Sequence, residues 1–132
     1  MDDLKTALAP DGISPPFGAY NHGILAPPGR AIVTSGQLGL STDGVCPPDV
    51  AGQARLCLAA IDAVLRAAGA ERSHVLRLNA YVTDRADFPA YMAERDAWLA
   101  DVQVKPASTL MIVSGFTRPE FLVEVEAMAV LP

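Results

Sequence analysis

Glu124 and Glu126 lie in the stretch from Phe121 to Val130, where Val123, Val125, Ala127 and Ala129 alternate with Leu122, Glu124, Glu126, Met128 and Val130. In an extended strand residues i and i+2 share a face, so both carboxylates project to the same side. A carboxylate fixed on a strand can act as a general base or hold an attacking water; the competing reading is a solvated sheet face. The surrounding strand is apolar, so each carboxylate needs either a solvent-filled cleft or a hydrogen-bonding partner. Arg77, on an alternating stretch of its own, is the candidate partner.

Ser35-Gly36-Gln37 follows Ala31-Ile32-Val33-Thr34 and precedes Gly39. A Ser-Gly at a strand end offers a hydroxyl and approachable backbone groups to a small ligand, or is a plain turn. Neither a phosphate-loop spacing nor a Gly-x-Ser-x-Gly elbow is present, which argues against nucleotide-triphosphate and serine-hydrolase chemistry. Gly18-Ala19-Tyr20-Asn21-His22 places a phenol and an imidazole side by side. With no carboxylate nearby in sequence to orient its ring, His22 reads as structural or cleft-lining rather than as a general base. Cys46 and Cys57 form no Cys-x-x-Cys, and His22 and His74 are distant singletons, so no metal site is expected. Cys57 is expected in the core and Cys46 in a loop as an ordinary thiol.

These residues must be positioned by two helices and several strands. From Asp49 the apolar positions Val50, Ala54, Cys57, Ile61, Val64, Leu65 and Ala68 recur at helical steps, with Asp49 as cap and Gly69 as stop. A second helical stretch runs from Asp87 to Ala100, with Phe88, Tyr91, Met92, Arg95 and Trp98-Leu99 in phase. Asn21 to Leu25 and Ala31 to Ser35, separated by Pro27-Pro28-Gly29, are expected to pair as a hairpin. Val75 to Thr83 alternates, with Leu76, Leu78, Ala80 and Val82 on the apolar face; Leu110 to Val113 and Phe121 to Val130 complete the strands. Helices arriving singly among strands predict an α+β layer, one sheet with two helices on one face. The other face, rich in Val, Leu and Met, then needs a partner surface, most simply identical subunits.

Composition agrees. A chain of 132 residues is expected to form a single domain over 1–132. Only 19% of residues are charged against 51% hydrophobic, below the roughly 25% of an average soluble domain, so apolar surface is expected to be hidden between subunits. With 10 Lys+Arg against 15 Asp+Glu, the net charge of −5 offers nothing to a phosphate backbone and disfavours a nucleic-acid partner. No apolar run suits a membrane span, and Met1-Asp2-Asp3 has the wrong charge for a signal peptide, so no membrane partner and a cytoplasmic location are expected.

In order and spacing, several short stretches together resemble the Rid family, also called YjgF or reactive-intermediate deaminases. They are Pro16-Phe17-Gly18-Ala19-Tyr20, Val33-Thr34-Ser35-Gly36-Gln37-Leu38, Gln53-Ala54-Arg55 with Val64 to Ala70, Tyr81-Val82-Thr83-Asp84, Asp87-Phe88, Pro106-Ala107-Ser108-Thr109 and Val123 to Ala129. The resemblance implies a chorismate mutase-like fold of the bacillus type, a homotrimer with a central β-barrel, and small-molecule clefts between subunits. It implies cofactor-independent hydrolysis of enamines and imines to a carbonyl product and ammonia, with an arginine holding the substrate carboxylate and a glutamate holding the attacking water. By motif match the glutamate is Glu124, the ligand turn is Ser35-Gly36, and the cleft aromatic is Tyr20.

The deaminase subgroup reads Pro-Ala-Arg-Ser where this chain reads Pro106-Ala107-Ser108-Thr109, so Ser108, or a one-residue deletion, stands where arginine belongs. An asparagine of that subgroup falls on or beside Met92. Losing a charge-assisted fork is expected to weaken carboxylate binding by about 1.5–3 kcal/mol, which points to a changed substrate. Lys105 is either a substitute cation or a solvated loop lysine. The alternative to a hydrolase is a non-catalytic trimeric binder or sensor using the same cleft.

Overall fold

The computed structural model describes residues 5–132; Met1 to Leu4, which carry the expectation about the signal-peptide start, lie outside the described residues. The strands are β1 (Thr6–Leu8), β2 (Gly23–Leu25), β3 (Arg30–Val33), β4 (Gln37–Leu38), β5 (Val75–Val82), β6 (Ala107–Ile112) and β7 (Val123–Leu131). The helices are α1 (Val50–Ala67) and α2 (Phe88–Trp98). The main sheet runs β3-β7-β5-β6, with β4 also paired to β7, while β1 and β2 form a separate ribbon. The β5–β6 pair is parallel and the other pairs are antiparallel, so the sheet is mixed, with both helices packed on it in an α+β layer.

Helix α1 begins and ends where local chemistry dictates. The Asp49 carboxylate accepts from the Gly52 N–H at 3.2 Å, satisfying one of the free donors of the first turn. At the other end Gly69 takes φ +78°, and the Ala70 N–H returns to the Leu65 carbonyl at 2.8 Å. Between them Ala54, Cys57, Leu58, Ile61 and Leu65 are buried, and these bear on the core face of the sheet, which includes Val123, Val125 and Ala127. Cys57 is thus a core residue, its thiol pushed by burial up to about 12. Helix α2 fills the crossover between parallel β5 and β6, and its inward stripe is Tyr91, Arg95 and Trp98. An arginine in that stripe is a departure from an apolar pattern.

The hairpin expected between Asn21–Leu25 and Ala31–Ser35 does not form. Instead β2 pairs with β1, through Thr6↔Leu25 to Leu8↔Gly23, while β3 pairs with β7, through Arg30↔Leu131 to Val33↔Met128. Pro27 and Pro28 carry no N–H, so the connection cannot continue a ladder, and each strand takes a distant partner. On β5 the apolar face is Val75, Leu78, Ala80 and Val82 rather than a strict alternation through Leu76. The register shifts between Val75 and Arg77, so Leu76 is the extra residue and the inward role passes to Val75.

Candidate functional site

On the sheet face turned away from the helices, β7 presents Glu124 and Glu126 together, as period two requires. Glu126 is held through one oxygen: its Oε2 accepts from Asn79 Nδ2 and from the Tyr81 hydroxyl, each at 3.0 Å. Arg77 is not its direct partner. The guanidinium donates from Nε to Asn79 Oδ1 and from Nη2 to Thr109 Oγ1, each at 2.8 Å, and reaches Glu126 only through the Asn79 amide. In register the shorter Asn79 stands directly opposite Glu126, whereas Arg77 is opposite Met128, so the amide takes the carboxylate instead.

Glu124, by contrast, has no hydrogen-bond or ion-pair partner among the described residues. Burial first, and the neighbouring Glu126 charge second, raise its carboxyl above the usual range. Its position is set by the backbone of Ser35-Gly36. Thr34 exchanges bonds with Ala127, N–H to carbonyl and Oγ1 from N–H, each at 3.0 Å, yet Gln37 pairs with Val125. Two residues, Ser35 and Gly36, therefore face the single residue Glu126, an extra-residue bulge of the kind that re-aims side chains. A Cβ on Gly36 would overlap the Glu124 carboxylate, with Cδ at 2.7 Å and Cγ at 3.0 Å. Glycine is required here for close approach, not for an unusual φ. Ser35 stands exposed beside it, its carbonyl accepting from Gln37 Nε2 at 3.0 Å.

A second group gathers on the other side of the sheet. Tyr20 and Ser108 line a cavity of about 330 Å³ with Phe17, Phe88, Met92 and Leu110, and Arg95 and Gly18 complete its wall. Asn21 fixes the Tyr20 segment, donating from its backbone N–H to the Pro106 carbonyl at 3.2 Å and from Nδ2 to the Lys105 carbonyl at 2.6 Å. The Tyr20 ring meets Phe17 and His22 edge-on, with centroids 6.1 and 6.2 Å away. His22 Nε2 bonds the Ser14 carbonyl, a loop-holding role.

Arg95 is the functional candidate that sequence reasoning missed. It is only 2% exposed; Nη1 donates to Ser108 Oγ at 3.3 Å, and Nε and Nη2 donate to the same oxygen, Asp96 Oδ1, at 3.1 and 3.0 Å. The available signal was a cation in phase with Tyr91 and Trp98 on the buried stripe. Lys105 is neither a cleft cation nor a solvated lysine: its Nζ donates to the Leu99 and Val102 carbonyls, each at 2.6 Å, closing the turn after α2.

The structure thus brings Glu124 to Gly36 and Ser35, and Tyr20 to Ser108, but it does not unite the two groups within one chain. Ser108 is registered to Leu78, on the core face, whereas Glu124 is registered to Tyr81, on the opposite face. A larger depression of about 510 Å³ beside Asp62, Arg72 and Trp98 is chemically occupied. There Arg72 forks onto Asp62 with two 2.8 Å bonds and lies 4.9 Å over the Trp98 ring. Cys46 is a loop thiol near the Pro47 and Glu120 carbonyls, which suits no nucleophile. Among the described residues no helix is long and apolar enough to cross a membrane.

Comparison with known proteins gives a consistent result. The family model described as Endoribonuclease L-PSP matches residues 12–131. The 2-iminobutanoate/2-iminopropanoate deaminase of Escherichia coli (strain K12) is 29% identical over 129 residues, covering 96% of this chain and 98% of that protein. A RutC family protein of Pyrococcus horikoshii is 30% identical over 128 residues, with coverage of 96% and 98%. Among solved structures, YyfB of Yersinia pestis, a Rid family protein of unknown function, superimposes with a TM-score of 0.87 at 29% identity, covering 97% of this chain and 99% of that one. TdcF of Escherichia coli with bound serine gives 0.74 at 26% identity, covering 96% and 99%.

Proposed function

The chain belongs to the Rid family, the proteins of the endoribonuclease L-PSP type, and from that premise we propose that it is a cofactor-independent hydrolase of imines and their enamine tautomers. The observation that carries this reading is Glu124, a carboxylate without a hydrogen-bond or ion-pair partner among the described residues, held on a rigid strand against the Gly36 backbone. Water held by Glu124 adds to the C=N carbon while the carboxylate takes its proton. That proton passes to nitrogen, giving an amino alcohol; Glu124 then takes the proton of the adduct's hydroxyl and returns it to the amino nitrogen as the C–N bond breaks, so that the carbonyl forms and ammonia leaves. Tyr20, Ser35, Gly36 and Ser108 are the substrate-contacting residues of this proposal.

Because the two residue groups lie on opposite faces of one sheet, the complete site requires the Tyr20–Ser108 cavity of one subunit to meet the Glu124 face of another. A homotrimer with its sheets around a central barrel supplies that meeting. Such packing also covers apolar residues otherwise left in water on the Glu124 face: Val33 at 67% exposure, Met111 at 51% and Met128 at 45%. Sedimentation at micromolar concentration is expected to give a trimer, and a monomer would remove the intersubunit site.

We take Ser108 as the residue at the family's arginine position, so the substrate differs from that of the deaminases named above. The excess of 15 Asp+Glu over 10 Lys+Arg keeps nucleic acid out of the proposal despite the family's description. The direct test is ammonia release from freshly generated imines of varied side chain. Acceleration over the spontaneous rate is expected; none across a broad panel, with a ligand still raising the melting temperature, would favour a non-catalytic binder. A Gly36→Ala variant displaces only the flexible Glu124 carboxylate. It is expected to lose about ten- to a hundredfold in kcat/KM, with a melting point within a few degrees of wild type.

A further inference from the structure

We propose that Arg95, reaching the cleft from α2, is the carboxylate-binding residue of this protein, and that its substrates are 2-imino acids with bulky apolar or aromatic side chains. This deepens the hydrolase reading and rests on it. The guanidinium lies in the cavity wall beside Ser108, 3.3 Å from the serine hydroxyl, so it occupies the space around the residue that stands at the family's arginine position. Serine there is short enough to admit it.

The guanidinium is also under-used. Of its five N–H donors, only three have partners among the described residues, and two of those share one oxygen of Asp96, whose side chain is half exposed to solvent. A cation only 2% exposed is costly to hold with so little compensation. A ligand carboxylate would supply what is missing: a second anion accepting charge-assisted bonds in a water-poor setting. The rest of the wall sets the remainder of the ligand. Phe88, Met92 and Leu110 make it apolar, and Phe17 stands 95% exposed at the rim, an aromatic ring ready to cover a ligand. A substrate with a methyl side chain would leave much of a cavity of about 330 Å³ unfilled.

The test is direct binding of 2-oxo acid products, measured calorimetrically on the assembled protein. Phenylpyruvate, phenylpyruvamide and pyruvate are titrated into wild type, Arg95→Met and Glu124→Gln. Wild type is expected to prefer phenylpyruvate over its amide by at least about tenfold, and over pyruvate by a similar factor. Arg95→Met should erase the acid-over-amide preference, and Glu124→Gln should keep it. A wild type that binds acid and amide equally overturns the proposal without recourse to any variant, as does a preference that survives in Arg95→Met. Equal affinity for pyruvate and phenylpyruvate overturns the side-chain class. An Arg95-dependent preference in a protein that releases no ammonia would sink the hydrolase reading alone, whereas ammonia release without the preference would sink the Arg95 assignment alone.

Discussion

Glu124→Gln is expected to lower kcat/KM for ammonia release by at least about a hundredfold, the loss that follows when a general base is replaced by a group unable to accept the proton. The amide has nearly the shape of the carboxylate, so its fit against Gly36 and the rest of the site is kept. An unchanged rate would remove Glu124 from the reaction. The pH dependence carries the same signature. Burial and the Glu126 charge raise the Glu124 carboxyl, so wild-type activity should fall on acidification through a pKa above the ordinary carboxylate value. The stability effect has the opposite sense. A carboxyl raised in the folded state binds its proton more tightly there than in the unfolded chain, so stability declines as pH climbs from the ordinary value through the raised one. The permanently neutral Gln variant escapes that decline and should melt at or above wild type at neutral pH, the two converging in acid.

The largest effect on stability is expected from Gly39→Ala. A Cβ there would sit 2.5 Å from Gln53 Cβ, 2.7 Å from its Cγ and 2.7 Å from its Cα, and that last atom belongs to the backbone of α1. Gln53 cannot retreat. It is wholly buried, its Nε2 donates to the Pro47 and Glu120 carbonyls at 2.8 and 2.9 Å, and its Oε1 accepts from the Leu122 N–H at 2.8 Å. Moving the helix start away from β4 would break those bonds and leave buried backbone groups unpaired. A cost of about 3 kcal/mol, read as a fall of roughly ten degrees in melting temperature, is expected. A loss of less than a few degrees would show that β4 and α1 are not locked in this way.

What the residues made legible, and what they concealed, follows the range of the forces involved. Helix α1 and strand β7 were readable because cap, period and stop are written locally: Asp49, the Ala54-to-Leu65 spacing and Gly69 in one, strict alternation in the other. The pairing of β3 was not, because its partner lies at the far end of the chain, and an adjacent strand looked sufficient. Charge alone pairs Arg77 with a carboxylate, whereas the sheet register puts Asn79 opposite Glu126 and Arg77 opposite Met128. For Lys105 local sequence offers a cleft cation or a solvated lysine, and neither takes account of the open carbonyls that follow a helix and claim such a cation. The family motifs point to Glu124 and to Ser35-Gly36 separately, but their meeting depends on a bulge and a register that no local pattern contains. Arg95 is not legible locally because helical phase alone makes it one more member of a packed stripe.

Strand β7 lies between β3 and β5 and also pairs with β4, although it follows all of them in the chain. During synthesis, therefore, the strands that will flank it have no common neighbour until residues 123–131 leave the ribosome. Until then β3 and β4 have no place in the sheet, β5 has β6 on one edge only, and the apolar face of α1 has little to cover. The sheet is assembled by inserting its middle last, a step that closes long loops and is slow for that reason. A nascent chain stalled before Val123 would leave β3, β4 and one edge of β5 unpaired and a helix face uncovered, the surfaces by which growing chains aggregate or enlist a chaperone. The strand that carries Glu124 thus also sets when the protein becomes safe to release.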